Sequence, residues 1–274
     1  MLPGGLTVTV DTLVEGVHFD ARLTPFDVGY KAVAVSVSDL AAMGAAPGWA
    51  VLSLGLPHAD TSWVDAFSEG LATALARWGL TLVGGDTVRS PARTVSLTMT
   101  GQLVAEPLTR TGARPGDALW VTGVPGLAGL GWMVDQPPPA ALQALRRPAP
   151  PLRFALDLAK RGWVQAAMDL SDGLAQDLPR LCRASGCGLT LDPAQLPVHP
   201  AFEGASPTEV RQAQLAGGDD YQLLFASAPE APVRECARDH GITVTRIGTF
   251  DDSGVVQALG GWTVLPFQHF GEAS

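Results

Sequence analysis

Lysine is nearly missing from this chain. Lys31 and Lys160 are the only two, and 18 Lys+Arg face 27 Asp+Glu, for a formal net charge of −9. A duplex nucleic-acid binder needs a basic stripe to neutralise phosphates, so no nucleic-acid partner is expected. Cysteine is scarce as well: Cys182, Cys187 and Cys236 form an odd set with no metal-ligand spacing, which predicts free thiols in a reducing cytoplasm. No apolar run reads as a membrane span. The best candidate, residues 40–56, is interrupted by Gly44, Pro47, Gly48 and Gly55 and reads as a buried helix, a turn and a strand. The N-terminus has no basic n-region, so no signal peptide and a cytoplasmic location are expected. Several catalytic signatures are also absent. There is no Gly-x-x-x-x-Gly-Lys-Ser/Thr loop, no Gly-x-Ser-x-Gly elbow, no His-Glu-x-x-His and no Asp-Phe-Gly.

What is present is a chain of 274 residues, 46% hydrophobic, long enough for two domains or one large one. Its 31 Gly and 22 Pro lie between periodic apolar segments, as tight turns do. Strands are predicted at 6–11, 49–56, 80–83 and 94–104, and helices at 27–43 and from an N-cap at Ser62 to Trp78. Residues 109–117 are polar and loop-like and place a domain boundary. Beyond them strands are predicted at 118–122, 164–169, 188–191, 221–226, 242–249 and 254–258. Helices are predicted at 126–134, 140–146, 152–161, 174–185, 207–215 and 230–239. Both halves are therefore mixed α/β.

Five acidic motifs punctuate this pattern, each beside Gly, Ser or Thr: Thr9-Val10-Asp11-Thr12, Ser38-Asp39, Gly84-Gly85-Asp86-Thr87, Asp169-Leu170-Ser171-Asp172-Gly173 and Gly217-Gly218-Asp219-Asp220. Each has an ordinary explanation. Asp11 could simply open a turn, Asp39 could face solvent from a helix, Asp86 could cap a Gly-Gly turn, Asp172 could be a helix N-cap and Asp219-Asp220 could be a solvated turn. Each also has a chemical one. Thr9 and Asp11 share a strand face, the glycines before Asp86 allow close approach to a phosphate, and Ser171-Asp172 opens a helix whose N-terminus favours anions. Buried carboxylates need compensation, and fixed positive charge near these motifs is sparse. Oxygen ligands of this kind suit Mg²⁺, which usually brings phosphates with it.

Taken in order, the motifs resemble the thiamine-monophosphate kinase family, within the superfamily of aminoimidazole ribonucleotide synthetase. The resemblance rests on residues 10–19 (Val-Asp-Thr-Leu-Val-Glu-Gly-Val-His-Phe), residues 36–45, Gly84-Gly85-Asp86-Thr87, residues 110–117, residues 169–174, Gly218-Asp219-Asp220-Tyr221 and Phe267-Gln268-His269-Phe270. It covers essentially the whole chain.

The resemblance implies a two-domain aminoimidazole ribonucleotide synthetase-like fold of the α/β (α+β) class, with mixed sheets and flanking helices in each domain. Residues 1–111 would form an ATP- and metal-binding dimerisation domain and residues 112–274 a C-terminal α/β domain. It implies Mg²⁺-dependent transfer of a phosphoryl group from ATP to thiamine monophosphate by a homodimer. Carried over by position, Thr9, Asp11, Asp39, Asp86, Asp169 and Asp172 hold metal. Gly85, Asp86, Arg110 and Ser171 contact the nucleotide. Asp86, Asp172 and Arg110 are catalytic, and His18, Asp219 and Phe267 hold the thiamine phosphate. Family members usually begin earlier, with a Gly-Asp-Asp-Ala-Ala motif, whereas this sequence starts at Met1-Leu2-Pro3-Gly4-Gly5. Either an upstream start or a truncation with weakened ATP binding is expected.

Overall fold

A computed structural model describes residues 3–228 and 230–258. The last predicted motif, around Phe267, lies outside them. The first half forms β1 (Leu6–Val14), α1 (Pro25–Met43), β2 (Ala45–Leu56), α2 (Thr61–Trp78), β3 (Thr81–Arg89) and β4 (Thr94–Leu103). The second half forms β5 (Ala118–Thr122), α3 (Leu127–Met133), α4 (Pro139–Arg146), α5 (Leu152–Arg161), β6 (Ala166–Leu170), α6 (Leu174–Ser185) and β7 (Gly188–Leu191). It continues through α7 (Pro207–Ala216), β8 (Gln222–Ser227), α8 (Glu230–Asp239), β9 (Val244–Asp251) and β10 (Val256–Ala258). Among the described residues, no helix is long and apolar enough to cross a membrane.

The first sheet has the order β1-β4-β2-β3, with β2 and β3 parallel and the other pairs antiparallel. Alternation sets its two faces. Thr7, Thr9, Asp11 and Leu13 turn toward α1, while Val8, Val10 and Thr12 turn outward. The helix face is closed by Val95, Leu97 and Met99 of β4. Val8, Val10, Trp49, Leu82, Val83 and Val88 stay exposed.

The second sheet has the order β10-β7-β9-β5-β8-β6. Its inner strands β5, β6 and β8 are covered on both faces and so are largely apolar, whereas β9 nearer the edge carries the exposed Arg246. Trp120, Leu223 and Phe225 pack toward α1 and α5, whereas Leu119, Val121, Leu224 and Ala226 pack toward α6. One core cluster therefore runs from Leu97 and Met99 through α1 to Trp120 and Phe225, and joins the two sheets.

α1 is the element that makes this possible. A capping box at Thr24 and Asp27, with Pro25 in the first turn, starts it, and Gly44 at φ 68 stops it. Its run of Ala, Val and Ser is buried on nearly every side. Small residues let neighbours approach. A Cβ on Gly29 would lie 2.1 Å from the Phe67 carbonyl oxygen, and one on Gly70 of α2 would lie 1.9 Å from that of Phe26, so α1 and α2 touch through their backbones. Asp27, 1% exposed, also accepts from Arg147 Nε at 2.7 Å and lies 3.6 Å from Arg146 Nε, tying α1 to the end of α4.

Two local expectations change, and one of the alternatives left open falls away. α2 is capped by Asp60, not Ser62: the Asp60 carboxylate accepts the Trp63 N–H at 3.1 Å and also takes the Ser62 hydroxyl. An anionic acceptor at the helix start outcompetes a hydroxyl. The Gly84-Gly85-Asp86-Thr87 motif is not a loop after a short strand; it lies inside β3 and pairs with Val51–Leu54 of β2. Gly85 has a packing reason there, because a Cβ would meet the Leu52 oxygen at 2.0 Å. Asp219-Asp220 is not a solvated turn, for reasons given below.

Candidate active site

β1 supplies Thr9 and Asp11, two residues apart on the face that meets α1. Asp39, near the end of α1, turns toward them rather than to solvent. Thr9 Oγ1 donates to Asp39 Oδ2, and Asp11 stands close enough to Asp39 for the two acids to shift one another. Asp169, near the end of β6 in the second sheet, faces the same cleft, and Ser38 Oγ reaches it at 3.3 Å. Three acids from three elements and both sheets thus converge. Burial first, then the charge of Asp39, pushes Asp11 up to about 7. Burial first, then Asp39, Asp177 and Asp11, pushes Asp169 up to about 8. Burial raises Asp39 as well, against the lowering effects of Thr9, Asp11 and Arg110. Carboxylates that line one cleft, with only oxygen donors among them, suit a hard divalent cation such as Mg²⁺.

The loop after β6 is built differently from the expected cap. Gly173, at φ 92, occupies the N-cap position of α6 and makes no side-chain bond. Asp177, one turn inside α6, reaches back and accepts the Ser171 and Asp172 N–H groups at 3.1 and 3.0 Å. Arg180 then bridges Asp172 and Asp177, 2.9 Å from the latter. Asp172 borders the cleft beside Ser171.

The next loop docks on this one. Asp219 N donates to the Ser171 carbonyl and Tyr221 N to that of Leu170, both at 2.8 Å. Asp219 and Tyr221 hold φ of 61° and 49°, a left-handed conformation that costs a non-glycine residue on the order of 1–3 kcal/mol. The bent loop separates the two acids. Asp219 turns into the cleft, 2.9 Å from Lys31 Nζ, and accepts Trp132 Nε1–H at 2.5 Å. Asp220 is buried, accepting the Gly126 and Ala128 N–H groups at 2.6 and 3.3 Å where α3 begins.

Two cavities meet here. One, of about 850 Å³, is walled by Val8, Leu40, Met43, Leu108 and Met168, with Arg110 at its exposed rim. A smaller cleft at Arg110 adds Arg180 and Arg183. The other, of about 430 Å³, is lined by Val17, His18, Trp132, Met133, Asp219 and Tyr221, with Asp11, Ser171 and Asp172 toward its floor. Asp39 and Asp169 belong to both. His18 accepts the Val14 N–H on Nδ1 at 3.1 Å, which fixes its ring.

Asp86 and Gly85 are not part of this gathering. β4 and β2 separate β3 from β1, so Asp86 lies about 14 Å from Asp11 by three inter-strand spacings, and it is exposed. Conversely, Lys31, Trp132, Asp177 and Arg180 stand in the site although no motif marked them. Lys31 lies eight residues before Asp39 on one helix, and Arg180 follows Asp177 by three, spacings that place each pair on one helix side. For Trp132 the sequence carries no signal.

Residues 3–103 match the family model "AIR synthase related protein, N-terminal domain", and residues 114–259 match "AIR synthase related protein, C-terminal domain". The fold and the shared carboxylate wall thus define an AIR synthase related protein of two domains. Among curated proteins, thiamine-monophosphate kinase of Escherichia coli (strain K12) is 40% identical over 236 residues, covering 82% of this chain and 71% of its own. The crystal structure of thiamine-monophosphate kinase from Stenotrophomonas maltophilia K279a superposes with a TM-score of 0.87 at 35% identity, over 93% of this chain and 85% of that one. AaThiL complexed with AMPPCP and TMP gives a TM-score of 0.85 at 30% identity, over 97% and 87%. The chain belongs to the thiamine-monophosphate kinase family.

Proposed function

We propose that this chain transfers the γ-phosphoryl group of ATP to thiamine monophosphate, giving thiamine diphosphate and ADP. The observation that carries the reading is the pair of cavities with Asp39 and Asp169 as their common wall. A donor in one cavity and an acceptor in the other would meet at those carboxylates, and a relative of this fold binds AMPPCP and TMP together.

The larger cavity suits the nucleotide: its apolar walls fit a base, and Arg110, with Arg180 and Arg183 nearby, fits the phosphates. The smaller cavity suits the thiamine moiety, a cationic aromatic group, because Trp132 and Tyr221 line it and Asp219 brings a negative charge. His18, with its ring fixed, would hold the acceptor phosphate, and Ser171 would contact the nucleotide.

Thr9, Asp11, Asp39, Asp169 and Asp172 would hold Mg²⁺. Bound there, the metal supplies charge neutralisation between two phosphate anions and on the transferring group. The protein's own part is to orient. Its carboxylates would place the ion between the reacting ends, Arg110 would steady the donor, and the loop at Asp219 would border the acceptor side. An acceptor phosphate is already ionised near neutral pH, so no side chain need act as general base.

The reading extends to residues 1–111 and 112–274 as the two domains and to a homodimer built by the first. The outward face of the first sheet carries exposed Val8, Val10, Trp49, Val83 and Val88, apolar side chains that a second copy of the chain would cover. Gly85 and Asp86 lie on that sheet's edge strand and would serve from there.

A coupled assay with ATP, Mg²⁺ and thiamine monophosphate tests the activity. Thiamine diphosphate should form, and Asp169→Asn should lower turnover by roughly 10²-fold or more while leaving the circular dichroism spectrum intact. No product from the wild-type chain, despite measurable ATP binding, would end the proposal.

A further inference from the structure

Among the described residues, only one set of three His, Cys or carboxylate groups brings its donor atoms within 4.8 Å of one another, and it lies outside the site above. It comprises Asp157 of α5, Cys236 of α8 and His240 just past the end of α8. None of the three lines either of the two cavities that share Asp39 and Asp169.

Cys236 and His240 are one helical turn apart, and the His240 N–H donates to the Cys236 carbonyl at 3.2 Å, so their side chains leave the same side of the chain. Asp157 comes from the helix packed against them. Its two oxygens face different ways. Oδ1 takes the guanidinium of Arg161 at 3.2 Å, while Oδ2 lies 3.4 Å from Cys236 Sγ and 3.1 Å from His240 Nε2. A tetrahedral ion with bonds of about 2.0 Å to N and O and about 2.3 Å to S spreads its donors about 3.3–3.6 Å apart. The two measured edges sit close to that range before any ion draws the groups in.

We propose that Asp157, Cys236 and His240 form a site for a four-coordinate divalent transition ion of the Zn²⁺ type, with solvent as the fourth ligand. Sulfur, imidazole nitrogen and one carboxylate oxygen are a borderline-soft donor set that selects Zn²⁺ over Mg²⁺. The charge balances. Cys236 gives up its thiol proton to solvent, Asp157 is already ionised, and the thiolate and carboxylate together offset the two positive charges. His240 binds neutral through Nε2, and one proton is released per ion. Burial holds the free Cys236 thiol protonated, which the ion overcomes on binding.

The surroundings support the geometry. Arg161 keeps the carboxylate turned so that Oδ2 is presented. Phe154 meets the His240 ring edge-on at 6.1 Å and 71°, which limits its rotation. Cys236 is buried, but His240 and Asp157 are 24% and 29% exposed, and His240 also opens to a cleft beside Arg77, Trp78 and Arg153 that gives an ion a way in. The ion would pin α8 to α5.

Co²⁺ titration of the chelator-treated chain, in excess Mg²⁺ to fill the carboxylate site, tests this. One equivalent should produce a thiolate-to-cobalt charge-transfer band, which carboxylates alone cannot give. Zn²⁺ should displace it. The band should vanish in Cys236→Ser and in His240→Ala and persist when Cys182 and Cys187 are both changed to Ser. Zn²⁺ should raise the wild-type Tm and leave that of His240→Ala unmoved. Should Cys236→Ser fold poorly, His240→Ala, at a part-exposed position, still decides. No band in the wild type, or a band that survives loss of Cys236, overturns the site. Phosphoryl transfer, measured alongside, should be unchanged in His240→Ala, so failure here is separable from failure of the kinase reading.

Discussion

Asp39 stands in a helix of Ala, Val and Ser, where an acid would ordinarily turn to water. It turns instead toward Asp11 and Asp169, and the three repel one another in a partly dry cleft. The sign of the consequence follows from linkage. Asp11 and Asp169 have folded-state pKa values raised to about 7 and about 8, from 3.8. Between those values the folded chain holds protons that the unfolded chain has lost. Stability of the metal-free protein therefore falls as pH rises through that window. A bound cation removes the repulsion, so stabilisation by Mg²⁺ should grow with pH. Thermal midpoints with chelator and with Mg²⁺, compared at about pH 5.5 and about pH 8.5, should show the gap widening toward the alkaline side. An equal gap at both would mean that these acids do not hold the ion.

α1 does two jobs at the scale of the element: it presents Asp39 to the cleft and carries the packing that joins the sheets. The Asp27 pair with Arg146 and Arg147 fixes its N-terminal end against α4. Asp27→Ala removes one arm of the capping box and takes a carboxylate from the guanidinium groups of Arg146, which keeps the Arg22 carbonyl, and Arg147. Both are 30–39% exposed, so water recovers part of the loss. A cost of about 2–3 kcal/mol is expected, read as a lower urea midpoint at unchanged slope.

Helices and strands of this kind were largely legible in advance. α5, α6 and β5 fall on the residues that periodicity indicated, because Gly162, Gly186 and Gly123 end them cleanly. β3 was misread because glycines signal turns locally, whereas Gly85 is in the strand to let Leu52 come close. The acids of the site were legible as motifs. Their compensation was not. Lys31 meets Asp219 only through the packing of segments far apart in sequence, and Arg180 reaches Asp172 only because the loop before α6 folds back along the helix. Cys236 and His240 were hidden in the same way, since their third member, Asp157, lies on another helix.

At the scale of the whole molecule, Asp86 stands apart from the acids it resembles. Asp86 resembles a metal ligand by position, yet it sits on the exposed edge strand, across two strands from Asp11. The proposed homodimer resolves this if Asp86 serves the site of the partner. The proposed two-fold interface on the outward face of the first sheet would then lay β3 of each protomer against β1 of the other. Mixed mutants discriminate between the arrangements. Consider Asp86→Asn chains and Asp169→Asn chains, each inactive alone, unfolded together and refolded. If Asp86 acts across the interface, each mixed dimer has one site with an intact Asp169 from one chain and an intact Asp86 from the other. Its second site has neither. Random pairing makes half of the dimers mixed, so about a quarter of wild-type turnover should return. If Asp86 acts within its own chain, every site in every dimer carries one lesion, and nothing returns. Near-normal turnover of Asp86→Asn alone would remove the residue from the reaction altogether and leave the outward face of β3 to pairing only.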